Sequence, residues 1–282
     1  MTRTAVTDAD FYLIEQSLDD EGRQLLRRVR EFMEKSVQPV INHYWTREEF
    51  PFDLMDDFRG LGIPGRLFEG YGCPGGGFLL DGLIAMELAR VDPSISTFFG
   101  VHGGLAMGSI FLCGSEEQKQ RWLPEMARME KIGAFGLTEP DVGSGVAGGL
   151  TTTARRVKGA GEVGGEWVLD GQKKWIGNAT FADYVIIWAR SLEDDKVKGF
   201  VVEKGTPGFE TSKQTDKIAL RVVQNAHITL DGVRVPEENR LQEANSFADT
   251  AKVLRLTRAG VAWQATGCAR GAYEHALAYA RQ

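Results

Sequence analysis

An α+β chain built from more than one domain is the fold class that the sequence predicts, and three observations predict it. Apolar residues recur at helical spacing through residues 25 to 126. Short runs of strand character, two of them carrying an Asp-Gly pair, crowd the stretch from about Ile132 to Pro236. One long helical pattern then returns and runs to the end of the 282 residues. At 43% apolar content, a chain of this length can bury more than one core.

The helices come first. Leu25, Leu26, Val29, Phe32, Met33 and Val37 share one face at i, i+4, i+7 and i+8 spacing, and Leu79, Leu80, Leu83, Ile84 and Leu88 repeat the pattern. A third segment runs through Leu105, Met107, Ile110, Phe111 and Leu112. In "GSEEQKQRWLPEMARM", Ser115 is placed as an N-cap with Glu116 and Glu117 in the first turn, where acids complement the helix dipole. Between the first two helices, Gly60 to Gly77 holds eight glycines and two prolines and predicts an extended loop. Beyond Ile132, "EWVLDGQKKWI" places Asp170-Gly171 between two short runs, which predicts a hairpin. Strands are also expected at "DYVIIWAR", "KGFVVEK" and "AHITLDGVRVP", so a compact antiparallel sheet or barrel follows. From Leu254 to Ala280 the pattern is helical, with Gly260, Gly267 and Gly271 mainly on one face suited to close approach of another helix. Nothing later in the chain is available to cover that face, so it is expected to be exposed.

Composition excludes several classes. A net charge of −6 with mixed signs argues against nucleic acid and against an anionic membrane as partners. No run approaches the eighteen consecutive apolar residues of a membrane span. The opening "MTRTAVTDADFYLIEQSLDD" is not a secretory signal, and a cytoplasmic, bacterial-type protein is expected. Cys73, Cys113 and Cys268 lie too far apart for a zinc pattern or a disulfide framework, and His43, His102, His227 and His275 show no ligand spacing. No metal is expected.

Gly143-Ser144-Gly145-Val146-Ala147-Gly148 is a formal match to the dinucleotide fingerprint G-x-G-x-x-G. That motif needs a strand feeding directly into the glycines and a helix opening on the last of them. Here Thr138 to Val142 separate the apolar run Ile132–Leu137 from Gly143, and Gly149-Leu150 followed by three threonines favours extended chain. A nicotinamide-binding Rossmann fold is therefore not expected.

The same stretch reads differently in company. "FGLTEPDVGS" (Phe135 to Ser144) followed by "GQKKWIGN" (Gly171 to Asn178) resembles the acyl-CoA dehydrogenase family. "GSEEQKQRWLP" before these motifs, and "GFVVEKGTPGF" and "DGVRVPEENRL" after them, extend the resemblance from about residue 20 to the end. The resemblance implies an N-terminal α-helical domain (1–131), a middle antiparallel β-barrel (132–240) and, at 241–282, the first helix of a C-terminal four-helix bundle. It implies FAD, bound by Phe135, Gly136, Leu137, Thr138, Gly143, Ser144, Trp175, Ile176 and Gly177. Substrate contacts are implied at Ser96, Thr97, Ser144, Arg255 and Arg258. "KIALRVVQNAHITLDGVRVPEENRL" is most similar to the glutaryl-CoA dehydrogenase and short-chain acyl-CoA oxidase branch.

The implied reaction is α,β-dehydrogenation of an acyl-CoA to the trans-2-enoyl-CoA. A glutamate takes the α-proton, and electrons pass on to an electron-transfer flavoprotein or, in an oxidase, to oxygen. A homodimer or homotetramer is implied, and a non-catalytic flavin- or acyl-CoA-binding paralogue is the alternative of another class. Where some members carry the base on the first bundle helix, this chain has Thr257 before Arg258. The late Glu-Gly-Thr loop of most members is absent. The chain thus looks C-terminally truncated, with no catalytic base, and is expected by itself to be inactive and to bind FAD poorly. Neither Glu139 nor Glu274 stands in for the base. Ser96 occupies the position at which glutaryl-CoA dehydrogenases carry an arginine, so an uncharged short- or medium-chain acyl-CoA is expected, with apolar surface from Phe98 and Phe99. Two departures stand out: Gly177 replaces the family's Thr or Ser, and Gly145 replaces its Asp.

Overall fold

The computed structural model describes residues 10–157 and 165–282. Helix α1 (Asp20–Phe32) starts on the Asp19 carboxylate, which accepts the Gly22 N–H at 2.7 Å, and runs on through a π-turn at Met33–Val37. Short helices α2 (Ile41–Arg47) and α3 (Met55–Leu61) follow. The glycine-rich loop carries only a two-residue hairpin, β1 (Glu69–Gly70) with β2 (Cys73–Pro74). Helix α4 (Gly77–Val91) is buried on most sides and forms the axis of the helical part.

Helix α5 (Pro93–Phe99), a π-turn at Gly100–Ala106 and α6 (Met107–Cys113) make one continuous rod. Asp92 caps it on the Ser94 N–H, and Pro93 supplies the pre-set first turn. At 21 residues and mean hydropathy 1.4, this rod has the length and polarity of a membrane span, although it contains no unbroken apolar run of that length. It is instead a core element, with Ile95 and Phe98 packed among the helices and Met107 and Ile110 packed towards the sheet. Phe98 is wholly core, ringed by Phe50, Phe58 and Phe181. Helix α7 (Glu116–Ala127) opens on the Ser115–Gln118 capping box.

Seven strands form one curled sheet: β3 (Gly133–Gly136), β4 (Thr153–Val157), β5 (Glu166–Gly177), β6 (Tyr184–Ser191), β7 (Val197–Glu203), β8 (Phe209–Lys213) and β9 (Asn225–Pro236). Trp167, Leu169, Val185, Ile187, Phe200, Ile228 and Val233 pack together inside the curl. Most ladders are antiparallel, as expected, but β3 and β4 both run parallel to β6. The hairpin expected at Asp170-Gly171 does not form. β5 runs straight through it, and the second pair, Asp231-Gly232, lies opposite it in β9. The Asp170 carboxylate accepts the Gly232 N–H at 2.8 Å, and Gly171 adopts φ 145°, where a side chain would strike Thr152. Two facing Asp-Gly pairs bend two long strands together, which a single pair read locally takes for a turn. The glycines of 143–148 precede and enter only a single helical turn, α8 (Val146–Gly149), before the chain returns to extended form at Leu150. This matches the exclusion of a Rossmann motif.

The glycine face of helix α9 (Phe247–Ala280) is not left bare, contrary to the sequence expectation, although Val261, Tyr273 and Tyr279 of the same helix remain exposed. Its glycine face lies on α4: a Cβ on Gly267 would sit 2.2 Å from the Met86 carbonyl oxygen, and one on Gly271 at 2.2 Å from that of Arg90. The covering helix precedes α9 in the chain. Gly260 has nothing within 4 Å and plays no part in this contact. Between α4 and α9, Arg90 binds Glu87, Glu274 and Glu34, while Arg30 of α1 binds Glu87 and Glu15.

The helices meet the sheet at His102. Its Nδ1 accepts the Gly133 N–H and its Nε2 faces the Met126 carbonyl, each at 2.9 Å, so the neutral ring with hydrogen on Nε2 satisfies both. Full burial outweighs these bonds and lowers its pKa to about 4.

Two outcomes follow. Gly267→Ala should cost at least ~1–3 kcal/mol in urea unfolding through overpacking. Gly260→Ala should be neutral or stabilising by up to ~1 kcal/mol through helix propensity. For His102, the unfolded chain takes up a proton near its ordinary pKa of ~6.5, while the folded chain declines it down to about 4. Stability should therefore fall as pH drops through that window, by about 3 kcal/mol in all. His102→Gln should flatten this slope in a pH series of urea titrations.

Candidate functional site

Two segments distant in sequence are brought side by side where β3 ends. The Lys174 N–H donates to the Thr138 carbonyl at 2.9 Å, and Lys173 Nζ donates to the Leu137 carbonyl at 3.1 Å. Of the nine residues assigned to a flavin, Phe135, Gly136, Leu137, Ile176 and Gly177 are buried and build the platform, while Thr138 is half-buried. Phe135 packs on Trp188, so it serves from beneath, and a Cβ on Gly136 would meet Ile187 at 2.7 Å. Gly143, Ser144 and Trp175 are exposed.

Trp175 is unusual twice over. A bulge between Lys173 and Ile176 gives it a left-handed backbone at φ 64°, and its indole is 53% exposed. A non-glycine residue in that region carries strain of roughly 1–3 kcal/mol. Two side chains offset it: Gln214 Oε1 accepts the Trp175 N–H at 2.9 Å, and Asn225 Nδ2 donates to its carbonyl at 3.0 Å. The result is an exposed aromatic residue with a fixed backbone, next to the Lys174 N–H that meets the Thr138 carbonyl, and a glycine loop with open space around Gly143. Aromatic wall, small hydroxyl and accessible backbone are the donor set that a flavin ring requires, so the residues fit that group. Gly145 has an ordinary φ of −77° and room for a side chain, so the loop does not depend on a glycine there.

Beneath the patch lies a buried ion pair. Glu139 accepts from Lys173 Nζ at 2.9 Å, from the Thr151 N–H at 2.7 Å and hydroxyl at 2.6 Å, and from the Thr152 N–H at 2.9 Å. Burial alone would raise this carboxyl, but the Lys173 ammonium and the threonine donors outweigh it and hold it at about 2. Glu139 is a tether and not a base. Glu274 is likewise engaged, by Arg90 and Arg270, each at 2.9 Å.

A cavity of about 220 Å³ lies between α4, the α5–α6 rod and α9. The π-turn forms part of its wall through Gly100, Val101, Gly103, Gly104 and Leu105, as π-turns often do at functional sites. It abuts the patch of these two segments at Val101: a Cβ on Gly177 would lie 3.2 Å from Val101 Cγ2. The glycine departure at 177 thus goes with a valine crowding it. Ser96, Thr97 and Phe99 line the cavity, as does Thr257. Arg255 and Arg258 are exposed and do not, because their side chains leave α9 on the other face. Sequence reasoning missed Lys173, Gln214, Asn225, Val101 and the cavity carboxylate Asp81. Asp81 alone left a trace, as a charge inside an otherwise apolar helical run.

Comparison with known proteins gives consistent matches. Residues 19–130 match the acyl-CoA dehydrogenase N-terminal domain and residues 134–233 the acyl-CoA dehydrogenase middle domain. An acyl-CoA dehydrogenase of Bacillus subtilis is 34% identical over 267 residues, covering 93% of this chain and 69% of the relative. A Mycobacterium smegmatis glutaryl-CoA dehydrogenase solved with FADH2 superposes with TM-score 0.87 at 36% identity, over 96% of this chain and 67% of that one. Butyryl-CoA dehydrogenase of Megasphaera elsdenii gives TM-score 0.86 at 32% identity, over 94% and 70%.

Lys173→Met should cost about 3–5 kcal/mol in urea unfolding, because it strands a buried carboxylate. Glu139 stabilises the fold above its unfolded pKa of ~4.3 and loses that contribution as pH falls towards about 2. Without the lysine its carboxyl rises, so acid unfolding followed by circular dichroism should begin at higher pH than in the parent. Adding Glu139→Gln should recover part of the loss.

Proposed function

The chain belongs to the acyl-CoA dehydrogenase family, and from that premise we propose that it serves FAD-dependent α,β-dehydrogenation of a short- or medium-chain acyl-CoA to the trans-2-enoyl-CoA. The observation that carries the proposal is the meeting of the Trp175–Thr138 patch with the apolar cavity at Gly177 and Val101. When bound there, FAD supplies the two-electron acceptor that removal of hydrogen across Cα–Cβ requires. The chain's own residues position: the Trp175 indole walls the ring, Thr138 and Ser144 offer hydroxyls, and the Gly143 backbone allows close approach. Two tightly matched neighbours carry butyryl-CoA and glutaryl-CoA in their names. Between them, the cavity favours a chain without a distal carboxylate. Ser96 is neutral, its hydroxyl already donates to the Ala85 carbonyl at 2.9 Å, and the cation among the lining residues, Arg66, is engaged by the Gly62 and Gly75 carbonyls. An electron-transfer flavoprotein or oxygen is the proposed final acceptor, and a homodimer or homotetramer in the cytoplasm the proposed setting.

No carboxylate stands beside Thr257 and Val101 among the described lining residues, and the Thr257 hydroxyl donates to the Leu254 carbonyl. Flavin and ligand binding are therefore the direct readouts. FAD should bind detectably, though poorly as the sequence implies, with quenching of its fluorescence, and butyryl-CoA should bind more tightly than glutaryl-CoA. Thr138→Val should weaken FAD by on the order of 1 kcal/mol, about fivefold. Purification with tightly bound NAD and no affinity for FAD would overturn the proposal.

A further inference from the structure

The cavity has two distinguishable ends. At the flavin end, Val101 meets Gly177, and Thr257 Cγ2 lies 3.1 Å from where a Cβ on Gly104 would be. At the other end the Trp263 indole lies directly on Gly82, whose missing Cβ would be 2.3 Å from Nε1. Gln264 Nε2 there donates to the Pro93 carbonyl and to Thr97 Oγ1, at 2.7 and 2.6 Å. Trp263 lies six positions beyond Thr257 on α9, a rise of about 9 Å. Asp81, the neighbour of Gly82 on α4, lines the same cavity and so belongs to the far end.

Two hydroxyls at that end are satisfied within the fold. Ser96 Oγ donates to the Ala85 carbonyl, and Thr97 Oγ1 donates to the Pro93 carbonyl while accepting from Gln264. The Asp81 carboxylate has no hydrogen bond or ion pair with any described residue. Arg66 lines the cavity too, with Nε unpartnered, but burial alone perturbs Asp81, so the two are not paired. That burial pushes the Asp81 carboxyl up to about 6. Asp81 is half-buried, and a carboxylate facing a mostly apolar cavity without a protein partner is still less favourable than a leucine at the same helical position. The cost becomes intelligible if a ligand supplies the missing donor.

We propose that Asp81 reads the far end of the acyl chain, so that the site selects acyl thioesters bearing a hydrogen-bond donor, hydroxyl or ammonium, on the terminal carbon. The inference rests on the acyl-CoA reading above and adds the chemistry of the chain's end. Asp81 adjoins Gly82 at the Trp263 end of the cavity, away from Val101 and Gly177, so it determines specificity and takes no proton from the reacting carbons. Its charge also repels a terminal carboxylate, reinforcing the neutral Ser96.

The test is calorimetric titration of the FAD-loaded protein with four six-carbon thioesters: hexanoyl-, ω-hydroxyhexanoyl-, ω-aminohexanoyl- and adipoyl-CoA. At least one donor-bearing chain should bind on the order of tenfold to a hundredfold more tightly than hexanoyl-CoA, with adipoyl-CoA weakest. The hydroxyl and ammonium arms distinguish the two donors. Asp81→Leu should abolish the preference and favour hexanoyl-CoA, and Asp81→Asn should lose any preference for the ammonium while relaxing the rejection of adipoyl-CoA. Both variants should melt no lower than the parent, since each removes an unpaired charge. Equal affinity of the parent for hexanoyl-CoA and both donor-bearing chains would overturn the assignment of Asp81 alone. Failure of all four thioesters to bind would overturn the acyl-CoA reading, and the assignment with it.

Discussion

The patch formed by the two segments proposed to hold a flavin depends on one buried contact, between Lys173 and Glu139. Both side chains are almost wholly removed from water. Neither is tolerable there alone, because an uncompensated buried charge costs several kcal/mol. Together, with Thr151, Thr152 and the Leu137 carbonyl completing their hydrogen bonds, they join three pieces of chain. The end of β3, the loop into β4 and the start of the β5 bulge cannot move separately. An apolar pair of the same volume would hold them as firmly, but it would not specify which backbone carbonyl meets which strand.

A second constraint shapes the cavity. Helices α4 and α9 approach so closely at Gly267 and Gly271 that backbone touches backbone, and the Arg90–Glu87–Glu274 cluster fixes their register. Towards the start of α9 the same pair of helices is held apart by the Trp263 indole on Gly82, and the gap beyond it is the cavity. Close contact at one end and a wedge at the other open a space that side-chain truncation alone would not give. The π-turn at Gly100–Ala106 supplies the third wall and turns His102 inward to the sheet.

Much of this was legible in the sequence, for identifiable reasons. The helical faces of α1 and α4, the Ser115 cap and strands β5, β6, β7 and β9 follow from periodicity and capping chemistry, which are local. The two segments assigned to a flavin were recognisable by motif and lie side by side in the fold, and the glycine run was rightly separated from a Rossmann turn by its flanks. What failed was non-local. Asp170-Gly171 forms no hairpin because its partner is the other Asp-Gly pair, some sixty residues away. The glycine face of α9 was expected bare because its cover, α4, precedes it in the chain. Trp175 was read as a wall, but its left-handed backbone, and the Gln214 and Asn225 that hold it, depend on contacts no spacing rule encodes.

Those last contacts tie the aromatic wall to the helical part of the molecule. Gln214 and Asn225 stand at the two ends of the β8–β9 connection, where Lys217 Nζ donates to the Leu220 and Val223 carbonyls and to Asn225 Oδ1. Burial lowers the Lys217 pKa to about 8. The connection is in turn latched to the end of α2: the Glu48 carboxylate accepts the Asp216 N–H at 2.9 Å and pairs with Arg221 at 2.7 Å, and Lys213 donates to the Glu48 carbonyl. Glu48 itself adopts a left-handed backbone, at φ 56°, to turn towards that loop. Trp175 is thus strained locally and held by a connection whose anchor lies in the other half of the fold. The sheet supplies the platform, and the helices set the position of the wall above it. That division explains why the patch and the cavity, built from different halves of the chain, meet where Gly177 of the sheet faces Val101 of the π-turn.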